Sequence, residues 1–229
     1  MCRTQLCWSH FATATLLIIL KLPKGRNTRA EYNSAAKIVR IKCQSTNLRP
    51  IFMSQIKYGL IYIAKMFFTL IFLLVIRTSR KKRLFIFDID NTIADSWPSL
   101  LISDWHDQNH RIRSLGIFLK MRRLILALKI SPSNQILYMT ARSNFSWIAT
   151  CNWLNSVGIE ADLTSVIITR TPDDKLDLLK LINRKAYYID DLSLGQETGT
   201  TIVRTDLIAQ IEELPLQYFG KKDIDQFIS

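Results

Sequence analysis

Acidic residues are nearly missing from the first third of the chain. Residues 1–83 hold one, Glu31, against 16 lysines and arginines, whereas residues 84–229 hold 18 acids against 15 cations. The net charge of +12 is thus the sum of a segment at +15 and a segment at −3. This split excludes a binder whose cations face a polyanion along its whole length, and it speaks against nucleic acid as the partner of the C-terminal part. Cysteine is scarce too. Cys2, Cys7, Cys43 and Cys151 form no Cys-x-x-Cys pair, so neither a zinc site nor a disulfide framework is indicated. Cys151 reads as a small core residue.

Residues 21–52 lack helical or alternating patterning and hold a single acid, Glu31. The apolar run before them, 11–20, is short for a span, suits a signal-peptide core, and has no clean cleavage site after it. Residues 1–52 therefore read as a basic, poorly structured extension. Residues 53–83 read as a transmembrane or signal-anchor helix with a basic flank, and Met53 is an alternative start. Segment 58–76 has 19 residues and one charge, Lys65, enough to cross a hydrocarbon core of ~30 Å at ~1.5 Å per residue. "RTSRKKR" comes next with five cations, which by the positive-inside rule places the C-terminal domain in the cytoplasm. The alternative is a buried or interfacial helix on a soluble cytoplasmic protein.

From 84 onward, short apolar runs alternate with helical patterns. Strands are expected at 84–87, 135–140, 165–169 and 186–190, with a weaker one at 200–203; helices are expected at 111–129, 145–157 and 172–183. Gly158 stops the second helix, and Thr171 with Pro172 starts the third. Continuous apolar strands joined by helices predict an α/β fold: a Rossmann-like parallel sheet in 84–229, helices on both faces, a small helical cap within about 96–132, and the N-terminal hydrophobic helix before it. Ligands of such sheets bind beyond the carboxyl ends of the strands.

Polar groups gather at that edge. The first strand ends in Asp88, with Asp90 two residues on. The second ends in Thr140, with Arg142 close behind. Lys175 lies in the first turn of the helix after the third strand, and the fourth strand ends in Asp190 and Asp191. Clustered carboxylates suit a hard cation, with Mg²⁺ the first choice. A lysine and a threonine hydroxyl beside it make a phosphate site. One aspartate there can attack phosphorus, and a second, its pKa raised by neighbouring negative charge, can act as general acid and base.

The motifs "FIFDIDNTIAD", "ILYMTAR", Lys175 in "TPDDKLDLL" and "AYYIDDL" stand in the order of the haloacid dehalogenase-like superfamily of phosphohydrolases, which residues 84–195 resemble. The resemblance implies Asp88 as nucleophile and metal ligand, and Asp90 as general acid/base with its carbonyl on the metal. It also implies Thr140 on the phosphate, Lys175 balancing charge, and Asp190 and Asp191 holding Mg²⁺. Asn91 replaces the glycine common after the second aspartate, and asparagine tolerates the left-handed turn expected there. Asn91, Thr92 and Arg142 are candidate substrate contacts, Thr92 also as a brace for the turn and Arg142 alternatively as a structural ion pair.

Only 34 residues separate Thr140 from Lys175 and 42 separate Thr92 from Gln135, which leaves room for a small cap at most. An open site suits a phosphatase acting on a bulky, sugar-linked or lipid-linked phosphate, with a phosphorylated small molecule or saccharide as partner. The alternatives are a nucleotidase or polynucleotide end-phosphatase, and a non-catalytic membrane-tethered scaffold. His106 and His110 stand four apart, but a polar surface explains them as well as a ligand pair does. The cations of 111–123 offer either a wet helix face or an attraction for anions. Trp97, Trp105, Trp147 and Trp153 read as packing.

Overall fold

The run of branched and aromatic residues after the basic cluster forms the middle of the sheet. A computed structural model of the chain describes residues 48–96, 108–194 and 201–229. Two compact units are distinguished, Met1–Lys57 and Tyr58–Ser229. Helix α1 (Leu48–Thr78) begins in the first and continues into the second, where it leads to strand β1 (Arg83–Phe87). Strand β4 (Asn134–Ala141), β5 (Val166–Thr169), β6 (Ala186–Ile189) and β9 (Leu216–Phe219) complete a five-stranded parallel sheet in the order β5-β4-β1-β6-β9. The crossovers from β1 run towards β5, and those from β6 run towards β9, so the direction switches between β1 and β6. The cleft of a doubly wound sheet opens at such a point.

Alternation along the strands assigns their faces. Phe85, Phe87, Tyr187 and Ile189 point to one side, where Met121, Leu124 and Leu128 of α3 (Leu119–Ile130) and Ile224 and Phe227 of α7 (Lys221–Ile228) line a cavity of about 710 Å³ with them. Leu84, Ile86 and Tyr188 are fully buried on the other side. Helices α5 (Pro172–Leu179) and α6 (Thr205–Glu212) pack against each other. Helix α4 (Trp147–Ser156) comes after a 3₁₀ turn, Asn144–Ser146. It carries Trp153, fully buried, whose Nε1 donates to the Leu115 carbonyl at 3.0 Å.

Helix α1 is apolar on both faces. Phe68, Phe72 and Ile76, spaced by four, are buried in the core of the second unit. Trp147 meets the Phe67 and Phe68 rings edge-on at 5.5 and 5.3 Å. Gln135 Nε2 donates to the Val75 carbonyl at 3.2 Å, and Lys65 pairs with Asp174 at 2.6 Å and Asp177 at 3.1 Å. The segment Gly59–Thr78 is long and apolar enough to cross a membrane, with a mean hydropathy of 2.4, and one face of it lies on the sheet domain.

Four expectations change. The helix expected at 111–129 is two helices, α2 (Gln108–Arg113) and α3, separated by strand β3 (Gly116–Ile117), because β3 pairs antiparallel with β2 (Ala94–Asp95). The helix expected to reach 183 stops at Leu179. The strand expected at 200–203 contributes Ile202–Val203 (β8), paired with Ser193–Leu194 (β7) in a separate ribbon. The main sheet's fifth strand is β9, whose half-exposed LQYF pattern carries little strand signal. As for the expected cap, α3 covers a sheet face, and a β2–β3 ribbon with α2 stands in the interval. Trp97, Trp105 and His106 lie outside the described residues, and His110 is exposed on α2.

Candidate active site

The turn after β1 sets the first two acids. Asp88 N–H donates to the Ile189 carbonyl at 2.8 Å, which ties the end of β1 to the end of β6. Asn91 then takes φ 58°, the left-handed conformation that asparagine tolerates best among residues with a side chain. The amides of Ile93 and Ala94 donate to the Ile89 carbonyl at 3.0 and 2.8 Å, and Ile89 and Ile93 are fully buried beneath the turn. Thr92 is buried as well, and its hydroxyl accepts the Asp191 N–H at 3.3 Å. Its place in the site is that of a brace between the two acidic loops.

Three carboxylates converge. Asp88, Asp190 and Asp191 each offer an oxygen, all within 4.8 Å of one another, and all three residues are buried. Lys175 reaches them from the first turn of α5. Thr171 caps that helix, accepting the Asp174 amide while Asp174 accepts the Thr171 amide, and Pro172 is the first helical residue. Lys175 Nζ donates to Asp88 Oδ1 and to Asp190 Oδ2, both at 2.6 Å. Burial would lower its pKa, but the charges of Asp190 and Asp88 raise it, so the lysine stays charged.

The acids respond differently. Burial pushes the Asp88 carboxyl well up, Asp190 adds to this, and Lys175 only partly offsets it. Burial, then the charge of Asp190, lifts Asp191 to about 7, against the help of its Ser193 hydroxyl partner. Two carboxyls resisting ionisation beside a third form a donor set that a divalent cation would relieve, because it supplies the charge they need and takes oxygen ligands. The triad therefore fits a hard metal ion.

Asp90 behaves otherwise, and this corrects the expectation of a raised pKa. Its carboxylate pairs with Arg142, whose Nε donates to Oδ2 at 2.7 Å and Nη2 to Oδ1 at 2.6 Å. Thr140 Oγ1 donates to Oδ2 at 3.1 Å and Ser96 Oγ to Oδ1 at 2.9 Å. Burial would raise its pKa, but the guanidinium beside it and the two hydroxyls hold the Asp90 carboxyl well below the usual carboxylate range. Arg142 is buried and donates also to the Thr150 hydroxyl at 3.1 Å, so it is an ion-pair partner of Asp90. Arg111, half-buried, is near enough to feel the charges of both Asp90 and Arg142.

Seven of the expected residues thus fall in two groups, Asp88, Asp190, Asp191 and Lys175 in one and Asp90, Thr140 and Arg142 in the other, while Asn91 and Thr92 shape and brace the turn after β1. Sequence reasoning misses three supporting groups. The Tyr188 hydroxyl donates to Asp190 Oδ2, the Tyr218 hydroxyl donates to the Asp190 carbonyl at 2.8 Å, and Ser96 braces Asp90. Tyr188 carries a usable signal, since a residue two before Asp190 on a strand shares its face. Leu192, at φ 43°, sits in a conformation unfavourable for its type, and its amide donates to Asp190 Oδ1 at 2.8 Å. That strain accompanies an acid fixed in place.

No family model matches the chain, and no curated protein matches it. Among solved structures it is similar to a chain of the Pnkp1/Rnl/Hen1 RNA repair complex, at 16% identity and a TM-score of 0.42, over 62% of this chain and 43% of that one. A second structure of a Pnkp1/Rnl/Hen1 complex gives 14% identity and a TM-score of 0.40, over 62% and 47%. The chain spans under half the length of each of these neighbours.

Proposed function

We propose that this protein is a metal-dependent phosphatase that hydrolyses phosphomonoesters through an aspartyl-phosphate on Asp88. The observation that carries the reading is the Asp88–Asp190–Asp191 triad with Lys175 between Asp88 and Asp190 at 2.6 Å from each. Mg²⁺ held by these carboxylates would supply positive charge to the phosphate oxygens. Lys175 keeps its own charge there and balances the negative charge on the phosphoryl oxygens. Asp88, just past the end of β1, attacks phosphorus; its P–O bond forms as the bond to the leaving oxygen breaks. Asp90 is the group that passes a proton to the leaving oxygen and later takes one from water. To donate, it must loosen from Arg142, and substrate phosphate is the natural competitor for that guanidinium and for the Thr140 hydroxyl. Superfamily resemblance in the four motifs supports the same roles. The substrate best suited to the short cap interval is a bulky, sugar-linked or lipid-linked phosphate.

The test is phosphate release by the full chain from p-nitrophenyl phosphate, sugar phosphates, nucleotides and 3′-phosphorylated oligonucleotides, with Mg²⁺ or with EDTA. Release is expected with Mg²⁺ only, and Asp88→Asn is expected to lower it on the order of 10³-fold or more. Equal rates in the variant would remove Asp88 as nucleophile, and no release from any substrate would contradict the proposal.

A further inference from the structure

From Gly59 onward, the large buried and the large exposed apolar residues of α1 lie on opposite faces. Phe68, Phe72 and Ile76 fix the inner face, and Lys65 joins it through Asp174 and Asp177. Ile63, Met66, Phe67, Leu70 and Leu74 are between 44% and 63% exposed, and their spacing of three and four gathers them on the outer face. Five large apolar side chains in one stripe exceed the scattered apolar residues normal on a soluble surface.

The charge next to the stripe indicates its occupant. Arg77, Arg80, Lys81, Lys82 and Arg83 are all exposed, and no acid occurs from residue 48 to residue 87. A second copy of the helix would bring its own cations to this face and no carboxylates to meet them. An anionic bilayer surface offers both an apolar layer for the stripe and negative headgroups for the cluster. We infer that α1 docks the protein on an anionic lipid bilayer, lying in the plane of the membrane through its outer face, while its inner face stays on the sheet domain. A spanning helix would have to surrender the Phe72 burial and both Lys65 ion pairs, so the apolar stretch acts as a surface anchor. Docking of this kind does not depend on the proposed phosphatase activity.

The test uses the full chain and sedimentation with phosphatidylcholine vesicles, with and without phosphatidylserine. Binding is expected to need phosphatidylserine and to weaken in high salt. Leu70→Asp, on the exposed face, is expected to weaken partitioning by about tenfold or more, with an unchanged circular-dichroism melt. Carbodiimide applied to vesicle-bound protein is expected to join Lys65 to Asp174. Binding indifferent to Leu70→Asp, or to phosphatidylserine, would overturn the proposal. So would self-association lost in Leu70→Asp without vesicle binding, which would assign the face to a second copy. A cross-link formed in free but not in bound protein would overturn in-plane docking in favour of a span.

Discussion

Arg142 holds Asp90 with two N–H donors while its third contact, to Thr150, fixes the guanidinium itself. Arg142→Ala leaves a largely buried carboxylate with only hydroxyl partners, and a loss of roughly 3 kcal/mol in urea unfolding is expected. The same variant frees Asp90 to titrate nearer the ordinary range, so the limb of the pH–rate profile that Asp90 sets should move to higher pH; a profile with neither limb moved would show that Asp90 sets none. Asp191 makes a second prediction. Its folded carboxyl titrates at about 7 rather than 3.8, so the metal-free folded state holds a proton that the unfolded state has released. Stability in EDTA should therefore fall as pH rises from about 4 to about 7. Mg²⁺ affinity should rise over the same window as the proton leaves. Thermal melts across pH, with EDTA and with Mg²⁺, measure both.

At the level of elements, the positions of the acids are set by where strands stop. Helix α5 delivers Lys175 because its start is fixed by a capping box and by Pro172. Thr171→Ala should cost about 1 kcal/mol in unfolding free energy, and it should lower activity further by loosening the turn that carries Lys175. Strands β1, β4, β5 and β6 are legible in the sequence because each is a continuous apolar run ending in a polar group, and the edge they share makes the site legible with them. Strand β9 is not, since its edge position leaves LQYF only half-buried. The break between α2 and α3 depends on Gly116 pairing with Asp95, a non-local event that local periodicity does not register. The charge state of Asp90 is hidden for the same reason. Its guanidinium partner is 52 residues away, and sequence proximity suggests only the acids nearby.

For the molecule as a whole, the exposed cations of 77–83, the apolar helix face and the acidic cluster all belong to the second unit. Phe72 sits fully buried where α1 meets that domain. Phe72→Ala should destabilise the folded chain by about 3–5 kcal/mol, visible as a lowered melting temperature; no shift would mean that α1 is not part of the core. In the proposed reaction Asp88 carries the phosphoryl group between two half-reactions. Rapid acid quench of the full chain turning over p-nitrophenyl [³²P]phosphate with Mg²⁺ tests it directly. Protein-bound label that hydroxylamine releases, and that is missing in Asp88→Asn, is the predicted result; steady turnover with no protein-bound label, or label that persists in Asp88→Asn, would contradict it.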